Sequence, residues 1–425
     1  MRPRASQLLL QLLVLLPLAA GTPVPPPGPA CVVGVPALNQ SGRGGPDCPG
    51  KLLVHNASCS TKPGFGWKRR ANYHPGSACH RENDPNGVME WDGVYHLFFQ
   101  DHIPMQVGGH LATRDFVHYK RLSIAIWNDQ WYDKAAIWTF SATIVEGMPR
   151  IVYPGIAGIN ISNGDCGRGP DGAGCFTHAI ALPANASDPW LENWVKPARN
   201  PIVQKVNGSG ITFANRDPTT AWRTSQGEWR YMDAAANIFS SYDFQTFRWV
   251  GKLVNFGTGD CPDFFPTPRD CDGCGWGVAN EEDGGSPPPR PSHVRAGGFR
   301  GVYALGDYDA AGPNTTGLWR PLPQYDEFPI HPKQPKGEMV LMDIGGPVTY
   351  YAAKSFESAA SNRRLVWAWM RLEGQALEAF DEDGRKFVGG GCPGIGSVMT
   401  NTNSMAREVT YDPLLQRLNY FPVPE

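Results

Sequence analysis

The sequence carries little charge, and its charges nearly balance. Charged residues make up 18% of the 425 residues, and the formal net charge is −2. This balance argues against a basic surface for nucleic acid and against an acidic interaction tail. No phosphate-binding or dinucleotide-binding glycine motif is present, and Cys271 and Cys274 have no second cysteine pair at zinc spacing. Nucleotide-dependent and zinc-dependent classes of protein are therefore disfavoured.

Long apolar runs and sustained helical periodicity are also scarce. The apolar run Leu8–Leu18 is too short to span a bilayer. It follows Arg2 and Arg4 and precedes the small residues 19–21, which is the pattern of a secretory signal. We therefore expect residues 1–21 to be a signal peptide. The mature protein is expected to be secreted and extracellular, with the cell wall or the vacuolar lumen as alternatives, and to have no membrane span.

Glycine and proline, by contrast, are abundant, with 49 and 40 residues. They punctuate many short β-like runs, which favours an all-β fold. Residues 22–72 are rich in proline and glycine and weakly periodic, and we expect an irregular N-terminal segment. Residues 73–425 are expected to form one β domain. Asp92-Gly93 predicts a tight hairpin because glycine accepts a positive φ, and Asn83–Gly87 is expected to form a turn before it.

Three segments form a faint internal repeat in which an aspartate precedes an aromatic residue. Their aspartates are Asp115, Asp188 and Asp243. A unit of this size would hold a four-stranded sheet with long loops, as a propeller blade does, and the domain would contain about five such units.

Sequons and cysteines agree with a secretory route. N-glycans are expected at six Asn-x-Ser/Thr sites: Asn39, Asn56, Asn160, Asn185, Asn207 and Asn314. The ten cysteines predict disulfides in an oxidising compartment. Cys166 and Cys175 make a plausible pair, whereas Cys271 and Cys274 form either a local bridge or two different ones.

Four aspartates at strand–loop junctions could carry chemistry. Asp84, Asp217, Asp260 and Asp263 each lie near a proline or glycine. In a propeller, the ends of the innermost strands converge on the central axis, so these side chains could meet. Glycoside hydrolysis needs such a set, with one carboxylate to attack the anomeric carbon and one to protonate the leaving oxygen. Taken singly, each aspartate could instead cap a turn.

Five motifs in order resemble a known family. "ENDPNG", "WTFSAT", "RDP", "DCPDFFP" and "YYAAKSF…NRRLVWAWM" are similar to segments of the invertases, inulinases and fructan exohydrolases of glycoside hydrolase family 32. The resemblance runs from about residue 73 to near the C-terminus. It implies a five-bladed β-propeller and a retaining, double-displacement mechanism that needs neither metal nor organic cofactor.

The resemblance also implies roles for individual residues. Asp84 matches the nucleophile, Asp217 the transition-state stabiliser, and Asp260 the acid/base. Residues matching substrate-binding or site-tuning positions are Asn83, Gln100, Phe140, Ser141 and Arg216.

The sequence departs from the family pattern in three places. Asp260 stands where the family has a glutamate, so Asp263 in that role or a loss of activity are the alternatives. Gly108 replaces a tryptophan, which we expect to widen or weaken the subsite beside the fructosyl site. The chain ends where the family's C-terminal β-sandwich would begin, so we expect either a propeller without the sandwich or a truncated sequence.

The sequence thus predicts a β-fructofuranosidase that hydrolyses sucrose or fructans through a fructosyl-Asp84 intermediate. A fructosyltransferase using the same intermediate is one alternative. A non-catalytic sugar-binding propeller, motivated by the altered acid motif, is the other.

Overall fold

The structure, a computed structural model, describes part of the 425-residue chain. The described residues are 75–76, 82–102, 105–157, 176–203, 205–206, 209–210, 215–253, 255–257, 259–272, 289–297, 301–310, 315–325, 342, 350–371, 379–380, 386–387 and 401–424. Within these ranges no helix is long and apolar enough to cross a membrane. The predicted signal peptide and the irregular segment 22–72 lie outside the described residues.

Five antiparallel sheets follow one another along the chain, and each is a blade. Blade 1 contains β1 Glu82–Trp91, β2 Val94–His102, β3 Gln106–Thr113 and β4 Tyr119–Arg121. Blade 2 contains β5 Ala136–Ile137, β6 Ser141–Val145, β7 Met148–Ile156, β8 Phe176–Pro183 and β9 Trp194–Val195.

The next two blades have four strands each, in chain order. A hairpin of β10 Lys205–Val206 and β11 Ser209–Gly210 precedes them. Blade 3 contains β12 Trp222–Arg223, β13 Trp229–Met232, β14 Asn237–Ser241 and β15 Arg248–Lys252. Blade 4 contains β16 Asp263–Pro266, β17 His293–Gly297, β18 Val302–Asp309 and β19 Leu318–Pro321, followed by a 3₁₀ turn Pro323–Tyr325.

The last blade is interrupted by a small hairpin. It contains β20 Tyr350–Ser358, β21 Arg363–Arg371, β24 Asn401–Asn403, β25 Arg407–Asp412 and β26 Arg417–Pro422. The hairpin consists of β22 Ala379–Phe380 and β23 Lys386–Phe387. The described chain is therefore a five-bladed, all-β propeller, as predicted.

The apolar cores lie between neighbouring blades. Phe98 of blade 1 packs with Tyr153 of blade 2, and Tyr231 of blade 3 packs in a cluster with Ile180 of blade 2. Trp367 of blade 5 returns to blade 1 in a further cluster. Each blade thus buries both of its faces against its neighbours, which explains why a fold with many tryptophans and few helices is stable.

The predicted repeat is confirmed in the first three blades. Asp115, Asp188 and Asp243 all lie between the last two strands of their blades. Each accepts a hydrogen bond from the backbone N–H of the residue two positions later in the chain. Their shared function is to close this turn.

The hairpin at Asp92-Gly93 is also confirmed, since both residues have positive φ between β1 and β2. The turn predicted at Asn83–Gly87 is wrong, because these residues lie within β1. The pairing of β1 with β2 shifts register between Glu82 and Pro85 and again between Asn86 and Met89. These irregularities accommodate a proline without an N–H and a glycine with φ of 50° inside a strand.

Hydrogen bonds close the propeller where its first and last blades meet. β24 pairs with β21 of blade 5, and the backbone N–H of Asn403 donates to Oε1 of Glu82 at 3.1 Å and to the carbonyl oxygen of Pro75 at 3.1 Å. Glu82 is buried and is the first residue of β1. The strand that carries Asp84 is therefore attached to the last blade at its first residue.

Candidate active site

The candidate functional residues cluster in or next to the first strands of the blades. Asp84 lies in β1, and Thr139 precedes β6. Asp217 and Asp260 lie in the loops that lead into β12 and β16, and Tyr351 lies at the start of β20. All five blades contribute to this group, because the starts of their first strands meet at one end of the propeller axis.

Asp84 is buried, and one of its oxygens is held by three donors. Its Oδ2 accepts hydrogen bonds from Oγ1 of Thr139 at 2.5 Å, from Nε2 of Gln100 at 3.2 Å and from the thiol of Cys261 at 3.3 Å. Burial raises the pKa of Asp84, and the bonds from Thr139 and Cys261 oppose that rise. None of these bonds occupies Oδ1.

Cys261 connects Asp84 with Asp217. Its thiol donates to Asp84, while its backbone N–H donates to Oδ2 of Asp217 at 3.0 Å. Burial raises the thiol pKa well above its ordinary value, so Cys261 is a neutral donor. Asp217 and Cys261 both have positive φ, 56° and 49°, a conformation that costs energy in residues other than glycine.

The positively charged Arg216 contacts both the loop of Asp217 and the loop of Asp260. Its Nε lies 3.3 Å from Oδ2 of Asp217, and its Nη2 contacts Oδ1 of Asp260. Burial raises the pKa of Asp217 to about 6, and the guanidinium of Arg216 opposes this rise. The guanidinium also lies 5.9 Å from the ring centre of Trp138.

Asp260 is the most open of the three carboxylates, with 35% of its side chain exposed. Its Oδ1 contacts Arg216, and its Oδ2 accepts a hydrogen bond from the hydroxyl of Tyr351 at 3.1 Å. Both oxygens are oriented by blades other than its own, and the partial exposure gives a substrate access to this carboxyl group.

Backbone hydrogen bonds from blade 3 hold the loop of Asp217 and the loop of Asp260. The N–H of Ala234 donates to the carbonyl of Arg216 at 2.8 Å, and the carbonyl of Ala234 accepts from Gly259 at 3.1 Å. The turn containing Ala234 is itself organised by buried Asp233, which accepts hydrogen bonds from Asn215 and Asn237. Burial raises the pKa of Asp233 to about 6.

Three of the predicted residues lie beside the carboxylates in different ways. Asn83 precedes Asp84, and its buried Oδ1 has no hydrogen-bond partner among the described residues. Phe140 is fully buried and packs in the core between blades 1 and 2, and its backbone N–H bonds Oδ1 of Asn86. Ser141 donates to the carbonyl of Pro218 at 2.7 Å, which attaches blade 2 to the loop of Asp217.

Asp263 and the histidines have other surroundings. Asp263 is buried, and its Oδ2 accepts from the backbone N–H and the hydroxyl of Ser355, at 2.9 and 2.6 Å. It therefore joins blades 4 and 5. His96 and His110 are buried and bonded to each other at 2.9 Å, consistent with packing roles.

Gly108 does not leave an open space, contrary to the expected widening. A Cβ at this position would lie 3.1 Å from Cβ of Ile126 and 3.3 Å from the ring of Phe140. The residues 125–126 pair with Gly108 through backbone hydrogen bonds. The volume beside this glycine is thus filled by Ile126.

Thr139, Cys261 and Tyr351 contact the carboxylates, yet sequence reasoning had assigned them no role. All three lie inside the motifs that carried the resemblance, next to residues that were assigned. Their positions in those motifs were the available signal. Among the described residues, no group of three or more His, Cys, Asp or Glu side chains is arranged to hold a metal ion.

Known proteins with similar sequences and folds agree on one family. The family model for the "Glycosyl hydrolases family 32 N-terminal domain" matches residues 76–385. An acid β-fructofuranosidase of Vigna radiata var. radiata is 31% identical over 327 residues, which are 72% of this chain and 44% of that protein. An insoluble isoenzyme of β-fructofuranosidase from Arabidopsis thaliana is 31% identical over 329 residues, which are 71% of this chain and 48% of that protein.

A solved structure supports the same grouping. Fructan 1-exohydrolase IIa from Cichorium intybus superposes with a TM-score of 0.61 and 26% sequence identity, covering 85% of this chain and 62% of that one. The chain spans about half the length of the two β-fructofuranosidases that it matches. Because the family model accounts for most of the sequence and the propeller is shared, the chain belongs to glycosyl hydrolase family 32.

Proposed function

We propose that the protein is a retaining β-fructofuranosidase, which releases fructose from terminal β-D-fructofuranosides such as sucrose or fructans. The observation that carries this proposal is the junction of Asp84, Asp217 and Asp260 through shared partners. Cys261 bonds the first two, and Arg216 contacts the last two. Names of relatives support the substrate class, since they are β-fructofuranosidases and a fructan exohydrolase.

In the first step Oδ1 of Asp84 attacks the anomeric C2 of the fructosyl unit. The bond between C2 and the glycosidic oxygen breaks, and Asp260 gives its proton to that oxygen, so the leaving sugar departs neutral. Three donors on Oδ2 orient the attacking carboxylate and leave Oδ1 available. Asp217, buried and ionised, stabilises the positive charge that develops on the ring.

In the second step a water molecule attacks C2 and breaks its bond to Asp84. Asp260 now takes the proton of that water, so both carboxyl groups return to their starting states. Capture of the intermediate by a sugar hydroxyl instead of water would give transfer rather than hydrolysis.

Asp260 suits the acid/base role better than Asp263 does. Its side chain is partly exposed and lies beside Arg216 and Tyr351, whereas both oxygens of Asp263 are buried and its Oδ2 is engaged by Ser355. Among the predicted substrate-binding residues, Asn83 offers a buried oxygen that has no hydrogen-bond partner within the described part of the chain, which suits a sugar hydroxyl. Gln100 donates to Asp84, and Ser141 bonds the carbonyl of Pro218, next to Asp217. Phe140 packs in the core beside them.

We further propose that the protein enters the secretory route, as residues 1–21 predict, and is N-glycosylated. Asn185 is exposed in the turn between β8 and β9, so its side chain is accessible for glycosylation. The predicted disulfides belong to the same proposal.

The test is to assay the purified secreted protein on sucrose beside Asp84→Asn, Asp260→Ala and the control Asp243→Asn. Asp84→Asn should lower kcat by about four orders of magnitude or more, and Asp260→Ala by about two to four. Asp243 closes a distant turn, and its variant should keep wild-type turnover. A wild type that binds fructosides without turnover would overturn the proposal. Trisaccharide products at high sucrose, in place of free fructose, would identify a transferase.

A further inference from the structure

Lys354 is a buried cation beneath the two loops that carry Asp217 and Asp260. It lies in β20 and is 1% exposed. Its Nζ donates to the carbonyl of Pro262 at 2.8 Å and to the carbonyl of Pro218 at 3.2 Å. Burying an ammonium group is costly unless it is well bonded, so these two contacts are the reason that the side chain is stable there.

The two carbonyls belong to the two functional loops. Pro218 directly follows Asp217, and Pro262 follows Asp260 by two residues. One ammonium group therefore fixes the separation between the loops from the side that faces away from solvent. Ala234 and Arg216 join the same loops at other points.

The loop of Asp217 has further anchors of its own. Ser141 donates to the Pro218 carbonyl at 2.7 Å, and the N–H of Thr219 donates to the carbonyl of Met232 at 2.8 Å. Loss of Lys354 would leave these bonds in place. The loop of Asp260 would keep its backbone bonds to Ala234 and Asp217. The carbonyl of Pro262 would lose the bond from Lys354, whereas that of Pro218 would keep its bond from Ser141, so we expect the larger displacement in the loop of Asp260.

We propose that Lys354 is a positioning residue, which holds Asp260 at the place required to protonate the leaving sugar. The inference rests on the proposed function and deepens it. Lys354 acts through the backbone of the acid loop and does not contact substrate, since its ammonium group is buried beneath the two prolines. A shift of about 1 Å in a catalytic group can reduce a rate by about a hundredfold.

The experiment compares Lys354→Met with Lys196→Met on two substrates, sucrose and β-D-fructofuranosyl fluoride. Fluoride departs without protonation by an acid, whereas the glucosyl oxygen of sucrose needs it. Lys196 is the matched control, because it is a mostly buried lysine away from the loop of Asp260. It is bonded to a carbonyl and to two aspartates of the segment that precedes β5. Lys354→Met should lower kcat/KM for sucrose, which reports on the first step, by about tenfold or more, and should largely retain kcat/KM for the fluoride, whose departure needs no acid.

The ratio of the two kcat/KM values in one preparation does not depend on how much of the protein is folded. It separates a positioning role from a general loss of stability. Lys196→Met should leave this ratio unchanged. If Lys354→Met also leaves this ratio unchanged, the proposal is overturned. Lys354→Gln, which keeps an amide donor, replaces the methionine variant if that variant does not fold.

A second readout is independent of activity. Cys261 lies between Asp260 and Pro262 and is buried, so its thiol reacts with a reagent only when the loop opens. Mass spectrometry of the peptide that contains Cys261 should show faster labelling in Lys354→Met than in wild type or Lys196→Met. Equal labelling rates would overturn the positioning role. If wild type turns over neither substrate, the proposed function fails, and the labelling rates alone decide the role of Lys354.

Discussion

The hydroxyl oxygen of Thr139 lies 2.5 Å from Oδ2 of Asp84, across the boundary between blades 2 and 1. Burial raises the pKa of this carboxyl group, and the bond from Thr139 is the largest of the effects that oppose the rise. The carboxyl group of Asp84 is therefore kept ionisable by a neighbour 55 residues away in sequence.

Thr139→Val should remove this donor while keeping the shape of the side chain. The pKa of Asp84 then rises further, so the acidic limb of the kcat/KM profile moves to higher pH. Loss of a hydrogen bond to a charged group should also lower kcat by about tenfold or more. Thr143→Val is the control, because its hydroxyl accepts from Ala221 rather than bonding a carboxylate. Identical acidic limbs in wild type and Thr139→Val would contradict this account.

Arg216→Met should shift the pH profile through Asp217. The folded pKa of Asp217 is about 6, and the guanidinium of Arg216 keeps it from rising further. Without that cation, ionised Asp217 is populated only at higher pH, and the acidic limb should move up by about one pH unit. Arg223→Met, on exposed Arg223 of β12, provides the control. An acidic limb that stays in place or moves down would show that Arg216 does not govern this ionisation.

Gly297→Ala should displace the loop that contains Asp260 and Cys261 more than a matched glycine change elsewhere. Gly297 has φ of 100°, and a Cβ there would lie 2.4 Å from the carbonyl oxygen of Cys261. Gly147 also has positive φ, 74°, but a Cβ would meet nothing within 4 Å.

Both alanine variants incur backbone strain of about 1 kcal/mol. Only Gly297→Ala adds steric overlap, of about 1–3 kcal/mol, and displaces Cys261. Urea unfolding and kcat on sucrose should therefore separate the two variants. Comparable losses in both would mean that the contact with Cys261 is without consequence.

Asp233→Asn should change stability in a pH-dependent way. Burial raises the folded pKa of Asp233 to about 6, above its ordinary 3.8. Between these values the native state binds more protons than the unfolded state, so the contribution of Asp233 to stability is full at low pH and falls as pH rises through about 6. The destabilisation caused by Asp233→Asn should thus be larger near pH 4 than near pH 7, as urea unfolding at both values would measure.

Asp243→Asn is the control, because its effect on stability should depend on pH in the opposite direction. Slight burial raises the pKa of Asp243, but hydrogen bonds from the amides of Thr246 and Gln245 outweigh it and lower the pKa. That contribution is present above the unfolded pKa and is lost as pH falls. A cost of Asp233→Asn that grows from pH 4 to pH 7 would contradict the assignment for Asp233.

Local patterns predicted much of the architecture. The hairpin at Asp92-Gly93 and the aspartate turns of blades 1 to 3 depend on residues close together in sequence, and the structure confirms them. Asn83–Gly87 was expected to be a turn for the same local reasons. Pairing with β2 overrides that preference, since two irregularities let the strand continue through Pro85 and Gly87.

The contacts between blades could not be predicted from local patterns. Cys261 bonds Asp84 across 177 residues, and Lys354 bonds Pro218 across 136. A motif shows which residue types are present, but the partner of each depends on how neighbouring blades pack. Thr139, Cys261 and Lys354 therefore lie in the motifs, but their roles could not be predicted from them.

The attachment of Glu82 to Asn403 bears on how the protein is made. Asn403 is 321 residues later in the chain, so during synthesis the strand with Asp84 leaves the ribosome long before its partner exists. Contacts of such long range form slowly, and an open ring exposes the apolar faces of its two end blades in the meantime. We therefore expect assembly of the candidate active site to be a late event, which depends on completion of the last blade.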